Sequence, residues 1–153
     1  MRPPRLALGR YPAAFPRTGG STVATDTLFA KIVRGEIPCH KVWEDERHLA
    51  FLDIRPLTPG HTLVIPKQGV DYLFDMEPEP YGALMQAVRT VARLLKERTQ
   101  CQRVVEIVIG YEVAHAHVHL IPTNSMAELP SLAGTPADMG ELAKLATRLR
   151  ATS

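Results

Sequence analysis

Sulfur chemistry has little to work with in this chain. The two cysteines, Cys39 and Cys101, form neither a disulfide framework nor a CxxC metal pair. Sparse, unpatterned cysteine fits a reducing intracellular compartment, and the expected setting is cytoplasmic. No apolar run approaches the roughly 18 residues that a membrane-spanning helix needs, so no membrane partner is expected. A Gly-rich phosphate loop and internal repeats are also missing. Charge is nearly balanced, with 18 Lys and Arg against 16 Asp and Glu, which argues against a dedicated nucleic-acid binder. Acidic residues are absent from the first 25 positions, where Arg2, Arg5, Arg10 and Arg17 are the only charged side chains. Residues 1–24 lack the apolar core of a secretory signal. Their Pro, Arg, Ala and Gly content reads as a disordered or targeting-like extension ahead of one domain over 25–153.

From Asp26 onward the pattern becomes regular. Asp26 or Thr25 is expected to cap a short helix that runs through Lys31–Arg34 and stops at Gly35. Lys41–Glu44 and His48–Asp53 read as a hairpin around Asp45-Glu46-Arg47. Pro56, Pro59 and Gly60 mark a loop, and His61–Pro66 is a short apolar strand. Over residues 79–98, Leu84, Ala87, Val88, Val91, Leu94 and Leu95 recur at helical spacing behind Pro78 and Pro80, where proline is tolerated. Arg103–Ile109 is β-branched, and Val113–Ile121 reads as a further strand joined to it by a tight turn at Gly110 to Glu112. Residues 137–150 form a second amphipathic helix with Leu142, Leu145 and Leu149 inward. The sum is an α+β domain: a five-stranded antiparallel sheet, one long helix and short terminal helices.

The last strand carries the most informative residues, His115, His117 and His119, three of the chain's six histidines. Alternation along a strand places the three imidazoles on one surface, with Ala116, Val118 and Leu120 facing the core. Imidazole titrates near neutrality, so such a row suits proton transfer, phosphate binding or metal ligation. A single zinc cannot easily gather both ends of the row, because His115 and His119 would lie about 13 Å apart at a rise of roughly 3.3 Å per residue. Phosphorus chemistry suits it better. A neutral imidazole is a competent nucleophile toward a phosphorus ester, and flanking imidazolium groups would neutralise the phosphate oxygens without any required metal.

HxHxH followed by two apolar residues resembles the signature of the histidine triad (HIT) superfamily of nucleotide hydrolases and transferases. The similarity extends over Thr27–Pro38 (TLFAKIVRGEIP), Val42–Asp53 (VWEDERHLAFLD) and Pro59–Lys67 (PGHTLVIPK), about a hundred residues in the family's order and spacing. The resemblance implies a HIT-like fold and, within it, the Hint-like phosphoramidase branch. It implies His117 as nucleophile, with His119 and His115 completing the triad and His61 as a fourth histidine beside it. Asp53 matches a carboxylate that binds both ribose hydroxyls, and Phe29, Ile32, Ile37, Phe51 and Ile54 match residues that sandwich the base. Some members hold a structural zinc on a CxxC pair and a later histidine; here those positions are Thr27, Ala30 and Gly69, so no metal or other cofactor is expected. The family's usual Gly-Gln-Ser/Thr-Val approach to the triad is Gly110-Tyr111-Glu112-Val113 in this chain. Glu112 therefore stands near the substrate phosphate, where it either points away, holds a histidine cationic or protonates a leaving group.

The activity so implied is hydrolysis of nucleoside 5'-phosphoramidates or related nucleotidyl conjugates through a nucleotidyl-histidine intermediate. A dinucleoside polyphosphate hydrolase and a non-catalytic nucleotide-binding protein are the alternatives. The resemblance also implies a homodimer with a purine nucleotide as small-molecule partner.

Overall fold

A computed structural model describes residues 26–129 and 134–150. The predicted extension at 1–24 lies outside them. Eight principal elements follow in order: α1 (Leu28–Val33), β1 (Lys41–Glu44), β2 (His48–Leu52), β3 (Thr62–Pro66), α2 (Pro78–Thr99), β4 (Arg103–Ile107), β5 (Val118–Thr123) and α3 (Met139–Arg150), with two short 3₁₀ turns between. The strands form one sheet in the order β1-β2-β3-β5-β4, and every neighbouring pair is antiparallel. This is the expected α+β architecture, with a long helix over a five-stranded sheet.

The sheet is apolar on both faces at its centre, as its sequence demands. β2 and β3 are buried along their whole length, whereas the edge strands β1 and β4 alternate with exposed residues. Period-two alternation sorts the central side chains into two cores. Ala50, Leu52, Val64, Val118 and Leu120 pack beneath Leu84, Val88, Val91 and Leu95 of α2 and Leu142, Ala146 and Leu149 of α3. Leu49, Phe51, Leu63 and Ile65 point the other way, toward Phe29, Ile32 and Val33 of α1. The larger core thus anchors the sheet, and the smaller one forms the floor of the face that carries the site.

Three local expectations are corrected. Thr27, not Asp26, caps α1: its hydroxyl accepts the Ala30 N–H at 3.1 Å. Thr25, the other candidate, lies outside the described residues. The histidine strand begins at Val118, not Val113, so His115 and His117 sit on irregular backbone. Register gives the reason. Val64 pairs with Val118, so Pro66 would have to face Ala116, and proline has no N–H to continue the ladder. The Ala116 N–H bonds instead to the Val70 carbonyl at 2.6 Å. The connection from β4 is correspondingly longer than a tight turn at Gly110 to Glu112, spanning residues 108–117.

The loop that delivers His61 to β3 is closely fitted. Gly60 has φ +91°, and a Cβ there would sit 3.2 Å from Pro122 Cγ and from Thr99 Cγ2. Thr58 Oγ1 donates to the Pro122 carbonyl at 2.6 Å, tying the same loop to β5. Gly60→Ala is therefore expected to cost about 1–2 kcal/mol through left-handed backbone strain and crowding. A urea-unfolding midpoint would read this loss, and a midpoint equal to wild type would refute it.

Candidate active site

Every side chain named from the sequence lies on or beside one face of the sheet. Phe29 and Ile32 come from α1, Ile37 from the turn after it, Phe51 from β2, and Asp53 and Ile54 from the β2 exit. His61 enters β3 and His119 lies in β5. With His117, Tyr111 and Glu112 they line a cavity of about 610 Å³, within the ~300–1,000 Å³ usual for small-molecule sites. Its lining is mostly apolar, with Asp53, His61, His117 and His119 among its polar groups. Phe29 packs edge-on to Phe51 at 5.5 Å and to His117 at 5.2 Å between ring centroids, joining the apolar wall to the triad. Tyr111 is 88% exposed and Ile54 55%, so both stand at the cavity mouth. Glu112 is exposed there too.

His115 departs from the expected picture. It is fully buried and lies beneath the cavity instead of lining it. Its Nε2 is 2.8 Å from the Pro66 carbonyl, which can only accept, so Nε2 carries the ring proton. Nδ1 is then an acceptor for the Thr27 hydroxyl at 3.2 Å. The carbonyl of His115 in turn lies 2.6 Å from His117 Nδ1. That contact requires a proton on His117 Nδ1, and neutral His117 consequently has its lone pair on Nε2.

The second pair is fixed with equal economy. The Leu57 N–H donates to His61 Nδ1 at 3.1 Å, so the proton of His61 resides on Nε2. That Nε2 is 2.9 Å from His119 Nδ1, which must accept, leaving His119 with Nε2–H as a donor. Asp53 supports the pair from one side: its Oδ2 is 3.7 Å from His61 Nε2 and 4.0 Å from His119 Nδ1. Its Oδ1 accepts the Arg55 N–H at 2.8 Å. Sequence reasoning missed Thr27 as a partner of His115, and it missed the Leu57 amide. The latter is a backbone group with no side-chain signature.

These contacts correct the expected charge state. Flanking imidazolium groups were anticipated, but burial holds His61, His115 and His119 neutral. Desolvation is the main cause in each case, lowering His61 and His115 below their ordinary value and His119 to about 4. Around His119 the nearby rings of His61 and His117 add to the depression, and Asp53 opposes it. Around His117 the site therefore presents oriented neutral rings at His61, His115 and His119 instead of flanking cations.

Two metal arrangements can be tested against this geometry. Thr27, Ala30 and Gly69 offer no sulfur or imidazole ligand, and the Thr27 hydroxyl is already engaged, so the family's structural zinc does not fit. Among the described residues, Asp53, His61 and His119 bring three donor atoms within 4.8 Å of one another. A metal on His61 Nε2 would move the ring proton to Nδ1, directly against the Leu57 N–H. The geometry favours a hydrogen-bonded relay over a metal centre.

An antiparallel sheet thus carries on one face an apolar cleft lined by His61, His117 and His119, of a size that suits a small molecule. Comparison with known proteins gives the same answer. The HIT domain family model matches residues 34–126, and the chain belongs to the HIT family, a superfamily of nucleotide-binding hydrolases. An uncharacterized HIT-like protein of Borreliella burgdorferi is 38% identical over 104 residues, covering 63% of this chain and 75% of that protein. Adenylylsulfatase HINT3 of Arabidopsis thaliana is 35% identical over 107 residues, covering 67% of this chain and 54% of that longer protein. The crystal structure of a Hit-like protein from Bartonella henselae superposes with a TM-score of 0.72 at 33% identity, over 82% of this chain and 95% of the other. Among the described residues, no helix is long and apolar enough to cross a membrane.

Proposed function

We propose that the protein hydrolyses nucleoside 5'-phosphoramidates or related nucleotidyl conjugates through a nucleotidyl-His117 intermediate. One observation carries this reading: the His115 carbonyl holds His117 Nδ1–H at 2.6 Å, which leaves the Nε2 lone pair of a cavity-lining imidazole available for attack. In the first step Nε2 bonds to the α-phosphorus as the bond from phosphorus to the leaving amine breaks, and the amine takes a proton from solvent water. In the second, water attacks the same phosphorus and releases a proton to solvent, replacing the one taken by the amine, while the P–Nε2 bond breaks and the nucleoside monophosphate leaves. His119 Nε2–H, fixed by His61, donates to a phosphate oxygen as charge accumulates there. Adenylylsulfatase HINT3 is named for a nucleotidyl substrate, which supports a nucleotidyl conjugate as the substrate class.

The apolar walls from Phe29, Ile32, Ile37, Phe51 and Ile54 take the base, and Asp53 accepts from the ribose hydroxyls. Oδ1 already accepts one backbone N–H, so most of the ribose contact falls to Oδ2. Asp53→Ala is expected to weaken adenosine monophosphate binding about tenfold, the worth of one hydrogen bond to a charged group. The same variant should lose the wild-type preference for ribose over 2'-deoxyribose. Titration calorimetry with the two monophosphates reads both, and an unchanged preference in the variant would remove Asp53 from the ribose site.

Glu112 and Tyr111 stand at the mouth, where the leaving group would depart, so they influence which conjugates are turned over. β4 is an exposed edge, and pairing with the β4 of a second copy would extend the sheet into a homodimer. Turnover of adenosine phosphoramidate compared with a dinucleoside polyphosphate tests the proposed substrate class. Preferential cleavage of the polyphosphate would replace it with the neighbouring activity, and binding without turnover of either would indicate a nucleotide-binding protein.

A further inference from the structure

We propose that Thr27 is a positioning residue for the nucleophile, acting through His115. The proposal rests on the reading of His117 as the attacking group. Thr27 makes two contacts in opposite senses. As the cap of α1 its Oγ1 accepts the Ala30 N–H at 3.1 Å, and the same oxygen lies 3.2 Å from His115 Nδ1. His115 Nε2 is committed as donor to the Pro66 carbonyl, so Nδ1 accepts and the Thr27 hydroxyl must donate. A continuous chain results: Ala30 N–H to Thr27 O–H, to His115 and, through its carbonyl, to His117 Nδ1–H.

Burial gives this chain its stiffness. His115 has no exposed surface, so water cannot replace either of its ring partners. With only Pro66 as a partner, the ring could pivot about one hydrogen bond; with Thr27 it is held at both nitrogens. The backbone of residues 113–117 needs that support because no strand pairing holds it. Phe29 stands two residues beyond Thr27, in the first turn of the same helix, and packs edge-on to both His115 and His117, at 6.1 and 5.2 Å between centroids. The helix that forms the base wall and the imidazole that attacks are therefore registered against each other by one hydroxyl. A residue that merely capped α1 would not need to donate.

Capping and donation can be separated by substitution. Thr27→Ser keeps both, Thr27→Asp keeps an excellent cap but loses the donor, and Thr27→Val keeps the shape and loses both. On the full chain, the expected result is that Ser turns over adenosine phosphoramidate within about twofold of wild type. Asp and Val should lose about tenfold in kcat with KM little changed, as misorientation predicts. Melting temperature should fall for Val and hold for Asp. If kcat instead follows melting temperature, so that Asp matches Ser, Thr27 is only a cap and the proposal fails.

Imidazole ¹⁵N resonances supply a readout that needs no substrate. The His115 Nδ1 and His117 Nδ1 signals should move in Val and be restored in Ser, and unmoved signals would overturn the proposal even if Asp does not fold. Were wild type itself inactive toward nucleotide conjugates, the proposed function would fall, and the resonances would still decide what Thr27 does.

Discussion

His117→Ala is expected to reduce turnover of a nucleoside phosphoramidate by at least about 10⁴-fold while leaving nucleoside monophosphate binding within a few-fold of wild type. Removing an activated nucleophile costs about this much in enzymes that work through covalent intermediates, because remaining groups still bind and orient but cannot form the first bond. The structure indicates why binding should survive. Phe29, Ile32, Ile37 and Phe51 among others supply apolar wall to the cavity, and Asp53 lies against His61 and His119. The contrast with His119 is instructive. Its replacement removes a hydrogen-bond donor to the phosphate, not the attacking atom, so His119→Ala should lose less, on the order of 10²-fold. Steady-state kinetics on the two variants checks the order; equal losses would mean that the two rings do not have separate roles.

The second large effect concerns pH. His61, His115 and His119 are neutral in the folded protein and bind protons less readily there than in the unfolded chain, chiefly because they are buried. Unfolding therefore takes up protons at pH values between their folded range and about 6.5. Stability is complete above roughly pH 7 and is lost as the pH falls through that window. For His119 alone, a drop from 6.5 to about 4 corresponds to about 3 kcal/mol, a large share of the ~5–15 kcal/mol of a typical domain. Urea unfolding at pH 7.5, 6 and 5 should show a steadily falling midpoint. His119→Asn should flatten that dependence, and a pH-independent wild-type midpoint would contradict the burial of neutral histidines.

Much of the fold was legible because the two periodicities are strong. Leu84, Val88, Val91 and Leu95 announced α2, and the alternation of Ala116, Val118 and Leu120 with the histidines assigned the two faces correctly. The apolar cavity wall was legible from Phe29, Ile32, Ile37, Phe51 and Ile54 through the family resemblance. The break in the histidine strand was harder to foresee. It depends on Pro66 meeting Ala116 in register, which exists only once β3 and β5 have paired. Charge state was equally hidden. A histidine row looks cationic in a sequence, but His61 and His115 are buried, His119 is half-buried, and the three are tied to the Leu57 amide, the Pro66 carbonyl, Thr27 and one another. Backbone groups carry no sequence signal, so the proton positions that matter most for mechanism emerge only from the folded chain.

That difference alters the chemistry assigned to the site. A cationic triad would hold phosphate by charge and would resist attack, since a protonated imidazole has no lone pair to offer. With His115 and His119 kept neutral by burial, His119 offers Nε2–H as a donor, and the tautomer set at His117 by the His115 carbonyl directs Nε2 to the role proposed for it. Tyr111 and Glu112 are exposed, line the same cavity as His117 and His119, and make none of the hydrogen bonds described for the histidines.

The central claim is that His117 Nε2 becomes covalently bonded to phosphorus. Intact-protein mass spectrometry after brief mixing with adenosine phosphoramidate and acid quench tests it directly. The account predicts a mass increase of one nucleoside monophosphate on the wild-type chain, absent from His117→Ala and mapped to His117 by fragmentation. Product formation with no adduct at any quench time, or an adduct that persists in His117→Ala, would contradict it.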